Sequence, residues 1–478
     1  MRKLLVAVFA CSLILAGQTP EWKALTYKPL KPLAFPDVDE FTLPNGMRVM
    51  MLESHRLPLV RGTAVIRTGN LFDPPGDVGL ASVTGSVLRS GGVPGKTGDQ
   101  IDEELENVAA SIESGIGEST GTVSFTCLKE NQDQVLGLFK QILTAPEFSQ
   151  DKIDLIKQQT MSEITRRNDD AGEIAQREFP AILYGRDNSY GWSEEIGTVA
   201  KIQRSDVQAF YHRYFFPANI LFAVQGDFDR AAMKAQIEKL FADWTVKQPP
   251  VPAFPRVNFT YKPGTYLAVK EDATQTNLSL GQPGGVLNDP DFPALEVMSD
   301  ILGGGFNSRL FRRIRTQLGL AYEVGAGWGA NFDHPGLFTI SASTPSQNTL
   351  KVINTAREEV ERMRSELVSQ EELDGARDTV LNSFVFNFDT PSKTLNRLVT
   401  YRYYGYPKDF IFQYQKAVAA VTREDVLRVA KKYLDPAKFI VLAVGNPKEF
   451  GEPLTPPVMP VDLNIPVPES MRRGGEPK

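Results

Sequence analysis

Histidine and cysteine, the side chains that most often bind zinc in proteins, are scarce in this sequence. Its 478 residues include 3 histidines and 2 cysteines. His55, His212 and His334 are far apart, so no two of them have the spacing of an H-x-x-x-H or H-E-x-x-H helix. The sequence therefore contains no local histidine or cysteine motif that is typical of a zinc site.

The sequence also lacks a strong excess of charge of either sign. Its 52 Lys+Arg against 58 Asp+Glu give a net charge of −6, so no basic field predicts binding to nucleic acid or to an anionic membrane. Beyond residue 16, no segment approaches the roughly 18 consecutive apolar residues that a membrane span needs. We therefore expect neither a nucleic-acid partner nor a membrane span.

The first 17 residues have the pattern of an export signal. A basic start at Arg2 and Lys3 precedes an apolar run that ends at Ala16. This pattern is typical of a secretory signal peptide and is too short for a membrane span. We expect an exported protein, periplasmic or secreted, with lipidation at Cys11 as the alternative. Cys127 would then be the only cysteine, and no internal disulfide is expected.

Two parts of the chain resemble each other. Residues 202–227 align without a gap with residues 421–446, and seven identities include a tyrosine, a proline and a glycine at matched positions. In each copy an amphipathic helix is followed by a proline and by an apolar run that ends at glycine. Ser149-Gln150-Asp151 matches Ser369-Gln370-Glu371 at nearly the same spacing. These matches predict a duplicated domain.

Prolines mark the predicted boundaries between the two copies. Five prolines in residues 246–263 indicate a linker, and seven prolines after Gly451 predict an extended, mobile tail. The helix and strand patterns predict an α+β fold in which each copy is a mostly antiparallel sheet covered by helices. The predicted map is a signal peptide (1–17), an N-terminal domain (38–245), a linker (246–263), a C-terminal domain (264–450) and a tail (451–478).

The first half carries the motifs Leu43-Pro44-Asn45-Gly46-Met47-Arg48-Val49 and Gly79-Leu80-Ala81, and the second half carries Ser308-Arg309-Leu310-Phe311 and a segment from Ile314 to Tyr322. Taken in their order, these motifs resemble the pitrilysin/insulinase-type metallopeptidases, which include the mitochondrial processing peptidases. The resemblance implies two homologous α+β domains that enclose a peptide-binding chamber together with another such pair.

The sequence departs from this family at the zinc motif. The family's zinc helix follows Gly-Leu-Ala as H-x-x-E-H, whereas the matching positions here contain Ser82, Gly85 and Ser86. Serine is a poor zinc ligand and glycine cannot activate a water molecule. Glu163 falls where the family's third ligand would lie, but a lone glutamate does not hold zinc, and it is better interpreted as an ordinary acidic position on a long helix. The departure implies that this chain binds no metal.

The second half keeps residues that the resemblance connects with catalysis. Arg315 is predicted in the last turn of a helix and Tyr322 on the strand that follows; in the family this pair faces the zinc across the chamber. Both are hydrogen-bond donors suited to a developing oxyanion. Gly303, Gly304 and Gly305 resemble the glycine-rich loop of non-zinc processing-peptidase subunits, which lies near substrate. Alternatively, the arginine stabilises a helix end, the tyrosine packs, and the glycines form a flexible loop.

The sequence is thus interpreted as a zinc-less subunit of an exported peptidase, resembling the alpha type of processing peptidase. It would bind extended peptides and lend Arg315 and Tyr322 to a homologous partner subunit that carries the zinc. The alternative is a non-enzymatic peptide-binding or scaffold protein with the same fold. A neighbouring gene that encodes an intact H-x-x-E-H helix would favour the heteromeric enzyme.

Overall fold

Two six-stranded sheets organise the part of the chain that the structure describes, residues 35–468 apart from the side chain of Val385. In spatial order, the computed structural model places in the first sheet β1 (Asp39–Thr42), β2 (Arg48–Glu53), β6 (Ile220–Gly226), β3 (Leu59–Ile66), β5 (Gly121–Leu128) and β4 (Ser111–Ile116). The second sheet contains β10 (Glu323–Trp328), β12 (Leu337–Pro345), β8 (Gln275–Pro283), β13 (Ile440–Gly445), β7 (Gly264–Val269) and β14 (Val458–Pro460). A separate pair consists of β9 (Gly285–Val286) and β11 (Ala330–Asn331).

Burial alternates along some strands and is continuous along others. β5 and β12 alternate between more and less buried residues, as expected of strands with one face on a core. β6 and β13 are buried at every position, because helices cover both of their faces. Most neighbouring strands are antiparallel, and the parallel pairs are β2–β6, β7–β13, β7–β14 and β9–β11. The predicted α+β class with mostly antiparallel sheets is confirmed.

Helices cover the sheets and complete two large apolar cores. The first half contains α1 (Leu80–Ser90), α2 (Gly98–Asn107), α3 (Gln132–Thr144), α4 (Gln150–Arg166), α5 (Ala171–Tyr184), α6 (Ile196–Lys201), α7 (Arg204–Tyr214) and α8 (Arg230–Leu240). The second half contains α9 (Phe292–Gly303), the π-helix Phe311–Gln317, α10 (Thr349–Ser365), α11 (Gln370–Ser383), α12 (Pro391–Tyr404), α13 (Phe410–Ala419) and α14 (Arg423–Tyr433). Side chains of α1, α3 and α7 join the first core, and those of α9, α10 and α14 join the second.

The segments that match in sequence also match in structure. α7 and α14 are both 11 residues long. Each is followed by a short turn that begins with proline, at Pro217 and Pro436, and then by a fully buried central strand. The shared pattern has a simple physical origin, since an amphipathic helix must cover the face of the strand that follows it.

Each half contributes one helix to the outer face of the other half's sheet. Ile174, Phe179 and Leu183 of α5 pack against Ile440 and Leu442 of β13 in the second sheet. The matching helix of the second half, α12, contacts β6 and β2 of the first sheet. This exchange explains why both central strands are buried on two sides, and it interlocks the two halves.

The proline-rich segments are irregular but attached. Residues 246–263 contain no helix or strand. The tail is bound to the protein as far as it is described: Val458–Pro460 forms β14, parallel to β7, and the amide of Val461 donates to the carbonyl of Leu267 at 2.9 Å. The predicted extended tail thus contains a short strand, because an edge position accepts a proline-containing strand without losing ladder hydrogen bonds. The predicted signal peptide and Cys11 lie outside the described residues, and within residues 35–468 no helix is long and apolar enough to cross a membrane.

Candidate functional site

The helix that matches the family's zinc helix is formed, but its ligand positions hold small residues. Ser82, Gly85 and Ser86 lie on one face of α1, as their spacing requires. The helix begins at Gly79, whose φ of 106° is in the left-handed region that favours glycine. The buried carboxylate of Asp73 accepts hydrogen bonds from the amides of Gly79 and Ala81, both at 2.9 Å, and so fixes the start of the helix.

Gly85 leaves no room for any side chain. An added Cβ would lie 2.3 Å from the amide nitrogen of Ile116 and 2.7 Å from the carbonyl carbon of Gly115, both in β4. The hydroxyl of Ser114 donates to the carbonyl of Gly85 at 2.8 Å and joins the helix to the same strand. The position of the family's general base is therefore closed by backbone packing.

Glu163 and Ser82 both lie near Glu194, a residue that the sequence analysis did not identify. The hydroxyl of Ser82 donates a hydrogen bond to the Glu194 carboxylate. Burial raises the pKa of Glu194, the hydrogen bond from Ser82 opposes this rise, and the negative charge of Glu163 adds to it. Glu163 itself is exposed and borders a cavity of about 460 Å³ that Arg167 and Glu194 also line. No sequence motif distinguishes Glu194 from the many other acidic residues.

These residues do not fit a zinc ion. Zinc in proteins is usually held by three or four imidazole, thiolate or carboxylate groups in tetrahedral geometry. Ser82 and Ser86 offer only neutral hydroxyls, and Ser86 already donates to the carbonyl of Ser82 at 3.0 Å. Throughout residues 35–468, no group of three or more histidine, cysteine, aspartate or glutamate side chains is placed to hold a metal.

Arg315 and Tyr322 contact each other directly. The guanidinium carbon of Arg315 lies 4.7 Å from the centroid of the Tyr322 ring and 4.8 Å from that of Phe311. The tyrosine is 74% exposed. It lies one residue before β10 instead of on the strand. The arrangement is a cation–π stack that holds the guanidinium beside an accessible phenol.

The helix that carries Arg315 is a π-helix instead of the expected regular α-helix. Its wider turns are shown by the amide of Leu318, which donates to the carbonyl of Arg313 at 3.2 Å, five residues earlier. Gly319, with φ of 61°, follows the end of this helix in the left-handed conformation that favours glycine. Such wide turns are rare and often occur at functional sites.

A buried ion pair fixes this helix in place. The Arg309 guanidinium donates to both carboxylate oxygens of Glu372 in α11, at 2.7 and 3.0 Å. Burial alone would raise the pKa of Glu372, but the hydrogen bonds from Arg309 and from the amide of Ser369 outweigh it and lower the pKa to about 2. Arg309 belongs to a recognised motif, yet its role depends on a partner 63 residues away.

Gly303, Gly304 and Gly305, at the end of α9, differ in how much space surrounds them. A Cβ on Gly303 would lie 2.1 Å from the amide nitrogen of Ala326 in β10, so Gly303 allows helix and strand to meet. A Cβ on Gly304 would lie 2.2 Å from Oδ1 of Asp300. Gly305 faces open space. Two of the glycines therefore have packing roles, and the third borders a cavity of about 660 Å³.

One motif of hydrolases occurs in the chain but lacks their geometry. Residues 117–121 form a G-x-S-x-G pattern, which in a nucleophile elbow joins a strand to a helix. Here it joins β4 to β5, and the hydroxyl of Ser119 lies 2.9 Å from that of Tyr404. His334 binds Asp333 through Nδ1 and Asn331 through Nε2, both at 2.8 Å, instead of Ser119. This segment therefore contains no serine–histidine pair.

The fold and the altered helix define a peptidase-like protein of two sheets whose zinc motif has been replaced. Comparison with known families identifies the peptidase family. Residues 48–190 match the family described as "Insulinase (Peptidase family M16)", and residues 201–380 match "Peptidase M16 inactive domain". The chain belongs to the insulinase-type M16 peptidase family, as the motifs predicted.

Individual relatives agree with this assignment. An "Uncharacterized zinc protease" of Rickettsia bellii is 26% identical over 349 residues, covering 71% of this chain and 81% of the relative. The "Non-peptidase homolog YmxG" of Helicobacter pylori is 24% identical over 420 residues, covering 84% of this chain and 92% of the relative. A crystal structure of a peptidase M16 inactive domain from Pseudomonas fluorescens shares the fold, with a TM-score of 0.78 and 22% identity over 88% of this chain and 100% of that one.

Proposed function

We propose that this protein is a zinc-less subunit of an exported M16 peptidase, which binds extended peptides and assists a homologous, zinc-bearing partner subunit. One observation carries the proposal. The Arg315 guanidinium stacks on an exposed Tyr322 next to β10, the outermost strand of the second sheet among the described residues. The chain's own α1, in contrast, has no room for a general base at Gly85.

The peptide would bind along β10, the outermost strand of the second sheet. Within the described residues β10 pairs only with β12, so its outer row of amides and carbonyls is available for another strand. Gly327 has open space where a side chain would stand. Adding an extended peptide to such an edge supplies affinity through main-chain hydrogen bonds, with little dependence on sequence.

Arg315 and Tyr322 would act on the bound peptide through hydrogen bonds. A guanidinium and a phenol are both donors that can bind a peptide carbonyl. Such donors stabilise the transition state most when they point at the oxyanion that develops during attack on that carbonyl. The base, the nucleophilic water and the metal would belong to the partner subunit, because α1 of this chain carries no group for them.

A non-enzymatic scaffold or peptide-binding protein is the competing proposal. The name of the Helicobacter pylori relative, a non-peptidase homolog, favours it. Both proposals require peptide binding or assembly, and they differ in whether Arg315 and Tyr322 contribute to turnover. The pattern of residues 1–17 supports export in either case, and N-terminal sequencing of the mature protein checks it.

The test uses the mature chain and a zinc-bearing M16 homologue encoded in the same genome. Fluorescence anisotropy of a labelled casein-derived peptide measures binding to each chain and to the mixture. Hydrolysis that requires both chains, and that is lost when the homologue's zinc is removed, supports the heteromeric peptidase. Peptide binding without any contribution to hydrolysis supports the scaffold, and hydrolysis by this chain alone contradicts both proposals.

A further inference from the structure

A second cavity lies in the second half, next to the one that Gly305 borders. Its volume is about 320 Å³. Six aromatic side chains line it: Phe292, Phe332, Phe384, Tyr401, Phe410 and Tyr414. A space of this size accommodates one long side chain or a small organic molecule.

Two carboxyl groups line this aromatic cavity without a partner. Glu296 and Asp300 lie one turn apart on α9. Among residues 35–468 neither side chain takes part in an ion pair that meets a 4 Å limit, although both are half-buried. Burial raises the pKa of Glu296 to about 7, helped by the charge of Asp300, and raises the pKa of Asp300 to about 6. Carboxyl groups in such a position are normally paired with a cation or hydrogen-bonded.

Tyr401 gives a second, independent indication of a missing ligand. The residue is 1% exposed and lines the cavity. Its hydroxyl has no hydrogen-bond partner of acceptable geometry among the described residues, although the guanidinium of Arg397 is nearby. Buried hydroxyls are rarely left in this state. A ligand in the cavity with an N–H donor would supply a hydrogen bond to the Tyr401 oxygen.

The burial patterns of α1 and α9 relate this cavity to the first half of the chain. When Ser82 of α1 is aligned with Glu296 of α9, every buried position from Leu80 to Leu88 coincides with a buried position of α9. Ser86 then coincides with Asp300. The cavity is thus the counterpart, in the second half, of the site that holds zinc in the family's active members. The second half carries two carboxyl groups at positions where the first half carries two serines.

We propose that this cavity binds a cationic side chain, arginine or lysine, of the peptide that the protein holds. Unpaired carboxylates attract a cation, and aromatic faces add cation–π attraction to it. The cavity shares Asp300 and Thr379 with the larger cavity beside Gly304 and Gly305, so a peptide at that loop has a short path into it. Gly304 itself is needed because a Cβ there would meet Asp300. The inference rests on the proposed peptide binding and specifies its substrate class.

The test compares two labelled ten-residue peptides that differ at one position, arginine in one and its uncharged isostere citrulline in the other. With the full mature chain at pH 8, we expect the arginine peptide to bind at least 10-fold more tightly. Glu296→Gln and Asp300→Asn should each remove most of this preference for arginine over citrulline. Asp378→Asn, which changes an exposed carboxylate elsewhere on α11, is the matched control and should leave the preference intact.

The preference for the arginine peptide should also increase with pH, because the carboxyl groups ionise as the pH rises. Binding a cation requires them to be ionised, so arginine affinity should rise between pH 5.5 and 8, and the rise should be smaller in the two variants. The other titratable groups lining the cavity are Arg397, Tyr401 and Tyr414; arginine stays charged, and burial raises the pKa of both phenols, so they stay neutral in this range.

Three results would overturn the inference or separate it from the proposed function. Equal affinity for the arginine and citrulline peptides would overturn the cation site. Displacement of the arginine peptide by an equal concentration of free n-butylguanidinium would overturn the assignment to a peptide side chain. If no peptide binds, the proposed function fails, and n-butylguanidinium alone then tests the cavity: binding that Asp300→Asn abolishes supports a cation site, and absence of binding overturns it.

Discussion

Gly85 in α1 lies directly against Ile116 in the edge strand β4, and an added Cβ would be 2.3 Å from the Ile116 amide nitrogen. In the M16 family the matching position carries the glutamate that activates water. The loss of this glutamate is therefore more than an exchange of one side chain. Helix and strand have a spacing that only glycine permits, and a side chain could return only if the backbone moved.

Gly85→Ala should destabilise the protein although alanine is the better helix former. Overpacking against a well-packed core typically costs about 1–3 kcal/mol, and here the obstacle is backbone, which cannot rotate away. Gly137→Ala in α3 is the matched control, since that helical glycine has open space around it and should gain up to about 1 kcal/mol. Urea denaturation of both variants measures the difference. A Gly85→Ala protein as stable as the wild type would contradict the close packing.

The same contact bears on attempts to restore the zinc site. The triple variant Ser82→His, Gly85→Glu, Ser86→His supplies the family motif, and Glu163 would be the third ligand. We expect it to fold poorly and to bind well below one zinc per chain, because position 85 has no space and the surrounding groups do not orient the ligands. Metal analysis of the purified variant gives the answer. Stoichiometric zinc in a folded variant would show that β4 moves away from α1.

Tyr322→Phe separates a catalytic role from a structural one. The ring is 74% exposed, so loss of one hydroxyl should leave the melting temperature unchanged. If the hydroxyl donates to the developing oxyanion, kcat of the reconstituted complex should fall about 10²–10³-fold, the range typical of a single oxyanion donor. A wild-type rate for this variant in an active complex would mean that the tyrosine does not take part in the reaction.

Arg315→Lys tests the other half of the pair. Lysine keeps the positive charge but loses the planar fork that stacks on Tyr322 and donates in two directions, so kcat should again fall. Arg313→Lys, an exposed position on the same π-helix, is the control and should keep full activity. The double variant with Tyr322→Phe should lose less than the product of the single losses if both groups serve one oxygen. Additive losses would indicate separate roles.

Glu372→Gln should destabilise the protein by about 3 kcal/mol at neutral pH, since it leaves the Arg309 guanidinium buried without its counter-charge. The folded-state pKa of about 2 lies below the ordinary value of 4.5. The stabilisation is therefore fully present above pH 4.5 and is lost as the pH falls towards 2. Urea unfolding between pH 2.5 and 7 should show a shallower pH dependence in the variant. Glu371→Gln, its exposed neighbour, should change stability by less than about 1 kcal/mol.

Trypsin should cut the native protein first within residues 246–263, where Lys247 and Arg256 are exposed in a segment without helix or strand. The two fragments should still elute together under native conditions, because α5 packs on the second sheet and α12 on the first. Lys247→Ala should slow the first cut without changing the association of the fragments. Fragments that separate on size exclusion without denaturant would contradict the interlocked arrangement.

The sequence by itself was enough to predict the elements that depend on local pattern. Thr97 and Gln100 have the sequence spacing of a capping box, and they form one: the Gln100 amide donates to the Thr97 hydroxyl, and the Thr97 amide donates to the Gln100 side chain. The apolar run from Ile220 forms a fully buried strand, and its copy in the second half does the same. The absence of zinc ligands at Ser82, Gly85 and Ser86 could also be read directly. Periodicity shows that a residue is buried, because the period of a helix or strand fixes which side chains share a face.

Periodicity does not show what a buried face packs against. Only the tertiary structure shows which distant segments are the packing partners. Nothing local to α5 indicates that it covers the other half's sheet, and the seven prolines of the tail gave no sign that Val458–Pro460 would pair with β7. Glu296 and Asp300 stand out in an otherwise apolar helix, yet whether they face water, a cation or an empty cavity depends on residues about 100 positions away. The chemistry available to this protein is therefore set by its amino acids, but the partners of those side chains are set by contacts between distant segments, which local patterns do not encode.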